Sequence, residues 1–143
     1  MSRDEQVQVA LAHAAAETDN DLEATLATLD PEPVYELQPA GLEVRGMDGA
    51  RAYYEYFFPN FMPLVESYEL RSEWVNDEGL AQEYMMMVRD PGTGQVRPHH
   101  LIGILVFGRS GLAGERLYAS EALLRMMFGP VYDRAVPVGS PAG

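Results

Sequence analysis

The stretch from Tyr68 to Phe107, YELRSEWVNDEGLAQEYMMMVRDPGTGQVRPHHLIGILVF, decides the fold class. Tyr68 to Val75 alternates as a β-strand does, and Asn76-Asp77-Glu78-Gly79 reads as a hairpin turn. Leu80 to Val88 is the return strand. Asp90-Pro91-Gly92-Thr93-Gly94 is a second strong turn, and Val96 to Phe107 is a long, largely apolar strand. Gly108 to Gly111 turns the chain again, and Leu112 to Ser120 pairs back. Glu121 to Phe128 is a short terminal helix or a continuation of that strand. Strands joined by such tight turns make an antiparallel sheet.

Upstream the period changes. Ser2-Arg3-Asp4-Glu5 opens a helix with a hydroxyl cap and acids in the first turn, and Val7, Ala10, Leu11 and Ala14 recur at helical spacing. That helix ends near Thr18-Asp19-Asn20. Asp21 caps a second helix with the stripe Leu22, Leu26 and Leu29, stopped by Pro31 and Pro33. Val34 to Leu37 and Leu42 to Arg45 are short strands around Pro39-Ala40-Gly41. Asp48 caps a third, aromatic helix from Gly49 to about Phe58, with Pro59 and Pro63 after it. Helices gathered ahead of an antiparallel sheet indicate an α+β fold. A strongly bent sheet with helices on its concave side leaves an apolar pocket suited to a small ligand.

Composition narrows the function classes. The 143 residues carry 10 Lys plus Arg against 22 Asp plus Glu, a net charge of −12. Such a balance argues against a nucleic-acid partner and against an anionic membrane surface. The absence of cysteine removes disulfides, thiol catalysis and Cys-ligated zinc. Three histidines show no metal-ligand spacing, so no metal or other cofactor is expected. Met1 to Gln8 is polar and no apolar run reaches the ~18 residues of a membrane span, so a cytoplasmic protein is expected. One domain over residues 1–130 and a flexible Pro/Gly-rich tail over 131–143 complete the organisation.

The run Asn20-Asp21-Leu22 to Leu29, then Val34-Tyr35-Glu36, then Gly46 with Ala50-Arg51-Ala52-Tyr53-Tyr54, resembles the SnoaL-like branch of the nuclear transport factor two superfamily. So does Gly114-Glu115-Arg116-Leu117-Tyr118 with Leu123-Leu124 and Gly129. The resemblance implies a cone-shaped, curved, mostly antiparallel sheet wrapped around three helices from the N-terminal half, enclosing a pocket. It also implies a homodimer, with the outer sheet face of Ile102, Ile104 and Val106 as interface. Members include ketosteroid isomerase, polyketide cyclases and dehydratases, none needing a redox cofactor.

Carried over from ketosteroid isomerase, the oxyanion-donating tyrosine falls at His13 and its supporting tyrosine at Tyr54. The catalytic aspartate falls at Leu37, or at Gln38 if Pro39 is matched, and the protonated aspartate falls near Gly103. Both carboxyl groups are missing at those positions, so any chemistry must use other groups. Strand parity puts Leu101 and His99 on the pocket side with Gly103. The same alignment points Arg116, Tyr118 and Ser120 inward and Glu115, Leu117 and Ala119 outward.

Each candidate has two readings. His99 is the pocket base near neutral pH, or a hydrogen-bonded histidine at a strand start. His13 donates into the pocket mouth, with Asp19 or Asp21 to orient it, or lies on the surface. Tyr35 and Glu36 compete for the inward face of their strand, with the preference to Tyr35. Arg116 stabilises negative charge on a substrate, or pairs with Glu121 or an acid on a neighbouring strand. On the first readings this is a cofactor-independent lyase, isomerase, dehydratase or cyclase acting on a small, mostly apolar, oxygenated molecule of aromatic, polyketide or terpenoid type. His99 moves the proton, Tyr54, Tyr118 and Arg116 hold the oxygen, and His13 is the alternative base. The contrasting reading is a small-molecule-binding or protein-interaction module without turnover.

Overall fold

The capping signals of the first two helices hold in the computed structural model, which describes residues 1–141. The Ser2 hydroxyl accepts from the Glu5 amide and the Glu5 carboxylate accepts from the Ser2 amide, starting α1 (Arg3–Thr18). Asp21 accepts from the Ala24 amide and starts α2 (Leu22–Ala27). The chain leaves that helix earlier than expected and enters β1 (Leu29–Gln38), which contains Pro31 and Pro33. Proline cannot donate to a ladder, and the pairing of β1 is irregular between Leu29 and Val34.

After β2 (Leu42–Arg45), α3 (Gly46–Tyr56) begins three residues before the expected start. Pro59 does not end helical structure. The chain passes through a π-helical turn (Phe57–Phe61) and a 3₁₀ turn (Met62–Leu64). Then come β3 (Val65–Val75), β4 (Gly79–Arg89), β5 (Val96–Phe107) and β6 (Leu112–Tyr118). Asn76 Oδ1 holds the first hairpin by accepting from the amides of Glu78 and Gly79, and Asp90 Oδ1 holds the second by accepting from Gly92 and Thr93. Glu121–Phe128 forms helix α4.

After Gly129 the chain forms α5 (Pro130–Arg134) and β7 (Val136–Pro137), which pairs with β2, so the segment from 131 onward, expected as a flexible tail, carries ordered elements. Val131 and Tyr132 are buried apolar anchors, and that burial is why this segment packs down. Ala142 and Gly143, the end of the expected tail, lie outside the described residues.

Seven strands form one curved, unclosed sheet in the order β3-β4-β5-β6-β1-β2-β7. Among the described residues only the β1–β6 pair is parallel. Irregularities within β3, at the start of β6 and in β1 supply bends. The core joins the concave face of the sheet to α3 and α4, with the Tyr53 ring stacked on Phe128 at 3.9 Å between centroids. No helix among the described residues is long and apolar enough to cross a membrane.

Candidate functional site

A cavity of about 120 Å³ opens between the concave face of the sheet and the helices. Phe57, Phe61, Leu101, Leu105, Leu117 and Met127 make it apolar, and Glu17, Tyr53, Gln82, Tyr84 and Glu115 supply polar groups. No Lys or Arg is among the described lining residues.

Glu17 lies one helical turn after His13 on α1, the spacing that stacks side chains on one helix face. His13 Nε2 is 2.6 Å from Glu17 Oε1, and His13 Nδ1 is 2.7 Å from Thr28 Oγ1. Tyr54, from α3, places its hydroxyl 3.1 Å from His13 Nε2 and 3.4 Å from Glu17 Oε1. Its other contact is the Tyr35 hydroxyl of β1 at 2.7 Å. His13 is 0% exposed, so Glu17 is the member of this pair that reaches the cavity.

Glu115 enters from β6, opposite Leu105 and beside Tyr35 in the two neighbouring ladders. Its carboxyl rests over Gly103, where an added Cβ would lie 2.9 Å from Oε1. Burial, then the negative charge of Glu17, pushes the Glu115 carboxyl well above the usual carboxylate range. Its neutral, proton-donating form is therefore favoured. Burial also raises the phenols of Tyr35, Tyr53 and Tyr54, and pushes Tyr84 up to about 12, with Glu17 and Glu115 adding to each. Tyr84 donates to Gln82 at 2.9 Å, and Gln82 donates to Glu73 at 2.8 Å. Tyr53, 2% exposed, lines the cavity.

The arrangement sets a helix-borne carboxylate, backed by an imidazole and a phenol, against a buried carboxylic acid in an apolar chamber. Such a site can take a proton at one point of a ligand while donating a hydrogen bond at another. His13, Glu17 and Glu115 also present ligand atoms within 4.8 Å of one another. A divalent cation would need a bare imidazole nitrogen and ionised carboxylates, whereas His13 Nε2 is engaged by Glu17 at 2.6 Å and burial favours the acid form of Glu115.

Solved structures with the same architecture cover nearly the whole chain. A candidate SnoaL-like polyketide cyclase from Jannaschia sp. CCS1 superposes with a TM-score of 0.69 at 14% identity, covering 91% of this chain and 97% of that one. The fold is NTF2-like. AclR from Streptomyces galilaeus, a candidate hydroxylase, shares the NTF2-like fold at a TM-score of 0.64 and 21% identity, over 90% of this chain and 83% of its own. A candidate isomerase from Bacillus subtilis does so at 0.66 and 16%, over 90% and 96%. At these identities the likeness is one of fold. No protein-family model and no curated protein sequence matches the chain.

Within this NTF2-like frame, the sequence-predicted residues separate into two groups. His13, Tyr54 and Tyr35 come together behind Glu17 without lining the cavity; Leu37, expected to line it, is fully buried in the core, and Leu101 and Gly103 do line it. The surface reading of His13 is overturned, because α1 turns that side chain under α2 toward Thr28. Tyr35, not Glu36, faces inward.

Arg116, Tyr118 and Ser120 are corrections. Gly103 of β5 stands opposite Leu117, so Leu117 and Glu115 share the pocket side and Arg116 and Tyr118 point outward. Arg116 pairs with Glu36 at 3.1 Å on the outer face, and Ser120 caps α4 by accepting from the Leu123 amide at 3.1 Å. His99 shares the strand face of Leu101 but stands farther along β5, opposite Met86, and is not among the cavity-lining residues. Burial, Arg97 and His100 lower its pKa. The sequence reading had no role for Glu17, Glu115 or the Tyr53 hydroxyl. The i,i+4 spacing of His13 and Glu17 was a usable signal for the first.

Proposed function

We propose that the pocket carries out cofactor-independent proton transfer, of the isomerase, lyase, dehydratase or cyclase kind, on a small, mostly apolar, oxygenated molecule in the cytoplasm. The observation that carries this reading is the pairing in one apolar cavity of Glu17, held by His13 and Tyr54, with Glu115, whose burial favours its acid form.

In this reading Glu17 takes a proton from a carbon next to an oxygen-bearing group. Glu115 and Tyr53 donate hydrogen bonds to the oxygen, where negative charge develops. Returning the proton to a different carbon gives isomerisation. Passing the Glu115 proton to a departing oxygen gives dehydration or another elimination, and the bond electrons leave with that oxygen. Two lining carboxyl groups and no lining Lys or Arg favour neutral aromatic, polyketide or terpenoid-like substrates over carboxylates. His99 and Arg116, expected to move the proton and hold the oxygen, have no part in this scheme. The known neighbours support it at the coarse level, since a candidate polyketide cyclase, hydroxylase and isomerase share the fold. The reading also includes a homodimer through the outer sheet face of Ile102, Ile104 and Val106, where Ile104 and Val106 adjoin the 52% exposed Trp74.

The test begins with thermal unfolding against neutral aromatic diols, polyketide fragments, terpenoids and steroids. A ligand at about 100 times its dissociation constant adds ~2.7 kcal/mol. Each stabilising compound is then incubated in deuterium oxide and followed by NMR for conversion or carbon-bound deuterium. Conversion or exchange slowed ~10²–10⁴-fold by Glu17→Gln is the expected result. Tight binding with neither conversion nor exchange would make the protein a binding module.

A further inference from the structure

The hydrogen bonds behind Glu17 locate a proton. Thr28 Oγ1 is 2.7 Å from the carbonyl oxygen of Thr25 and 2.7 Å from His13 Nδ1. A threonine hydroxyl has one proton to give, and a carbonyl has none. The Thr28 proton therefore goes to Thr25, and the contact with the imidazole requires Nδ1–H to donate to Thr28. The Thr25 hydroxyl does not compete, because it donates to the Asp21 carbonyl at 2.6 Å.

With Nδ1 protonated, the other ring nitrogen decides the state of the pair. Nε2 lies 2.6 Å from Glu17 Oε1. A bare imidazole nitrogen and a bare carboxylate do not sit at that distance without a proton between them. The tyrosines point the same way. Tyr35 has Tyr54 as its only hydroxyl partner among the described residues, so a satisfied Tyr35 donates to Tyr54 and leaves Tyr54 to donate to the His13–Glu17 pair.

We propose that Thr28 is a positioning residue that locks His13 with Nδ1 protonated, so that the Nε2–Glu17 contact holds a single mobile proton. The pair is then either imidazolium with carboxylate or imidazole with carboxylic acid. The two forms interconvert by moving one proton between Nε2 and Oε1 with no change of net charge. His13 is sealed from solvent, so Glu17 is the pair's outlet to the cavity. The use of this proton rests on the proton-transfer reading of the pocket. Its location does not.

The test reads the imidazole nitrogens by ¹⁵N NMR without substrate, so its failure is distinct from failure of the proposed function. His99→Gln and His100→Gln assign the His13 resonances by elimination. The expected result is a protonated Nδ1 in the wild type at neutral pH, retained in Thr28→Ser. In Thr28→Val, Nδ1 loses its acceptor, and His13 moves to the tautomer that carries its proton on Nε2 and donates to Glu17. A bare Nδ1 in the wild type overturns the proposal, and so does a folded Thr28→Val with Nδ1 still protonated. If Thr28→Val does not fold, the wild-type and Thr28→Ser spectra decide the matter alone.

Discussion

Glu115 shows how one side chain takes its chemistry from its surroundings. Its carboxyl is raised first by burial and then by Glu17. Above the ordinary glutamate value of about 4.3, the native chain keeps a proton there that the unfolded chain has lost. The contribution to stability is full below that value and is lost as pH rises through the folded value. Urea unfolding across a pH series is expected to show this decline in the wild type and a flatter profile in Glu115→Gln; equal slopes would sink the assignment. Gly103 is the companion residue. Gly103→Ala puts a methyl 2.9 Å from Glu115 Oε1, the movable end of that side chain, at an expected cost of ~1 kcal/mol, the low end of overpacking. Removing the carboxyl by Glu115→Ala is expected to relieve much of that cost, so a double-mutant cycle between the two positions measures the contact. Additive losses would contradict it.

At the scale of elements, the register between β5 and β6 decides what the pocket contains. Because Leu117 stands opposite Gly103, Glu115 faces in and Arg116 faces out. Arg116→Ala is therefore expected to leave pocket-ligand affinity unchanged by titration and to cost no more than ~1 kcal/mol of stability, the range of exposed ion pairs. A tenfold loss of affinity would return Arg116 to the pocket. The β5–β6 turn is tied to β1 by Asp30, whose carboxylate accepts from the amides of Arg109, Ser110 and Gly111. Burial opposes that charge, but the amides of Ser110 and Arg109, the Ser110 hydroxyl and the Gly111 amide outweigh it and hold the carboxyl below its ordinary value. Gly108 is needed there, since a Cβ would lie 1.9 Å from Asp30 Oδ2. Asp30→Ala is expected to lower stability by ~1.5–3 kcal/mol in urea unfolding at neutral pH, the range for hydrogen bonds to a charged group. The stability Asp30 supplies is lost as pH falls through its depressed folded value, so the gap between wild type and variant narrows in acid.

At the scale of the whole molecule, the sheet divides two environments. Its concave face closes the chamber with α1, α3 and α4, and its convex face leaves Ile102, Ile104, Val106 and Trp74 without a covering helix. With a net charge of −12, scattered association is opposed by repulsion, and a stable pairing needs such an apolar face. Light scattering after size-exclusion chromatography is expected to show a dimer that Trp74→Glu converts to monomer with the fold retained. A monomeric wild type at micromolar concentration would rule out this interface.

The α+β class, the four strand-joining turns and the caps at Ser2 and Asp21 were legible because neighbours in the chain decide them. Turn residues select their own dihedrals, a capping side chain reaches amides two or three residues away, and strands alternate with period two. Tyr54 was legible as an inward residue through the resemblance, and Tyr35 as the preferred inward residue of its strand. The assembly of Glu17 with Glu115 was not, because α1 and β6 meet only when the sheet curves around the helix. Nor was the inward face of β6, because a slip of one residue sends every side chain to the other side, and only the pairing of Gly103 with Leu117 sets that register. Local chemistry built the elements. The tertiary fold chose which carboxyl groups share a chamber, and burial beside a second carboxylate, which no stretch of sequence contains, favours the acid form of one of them.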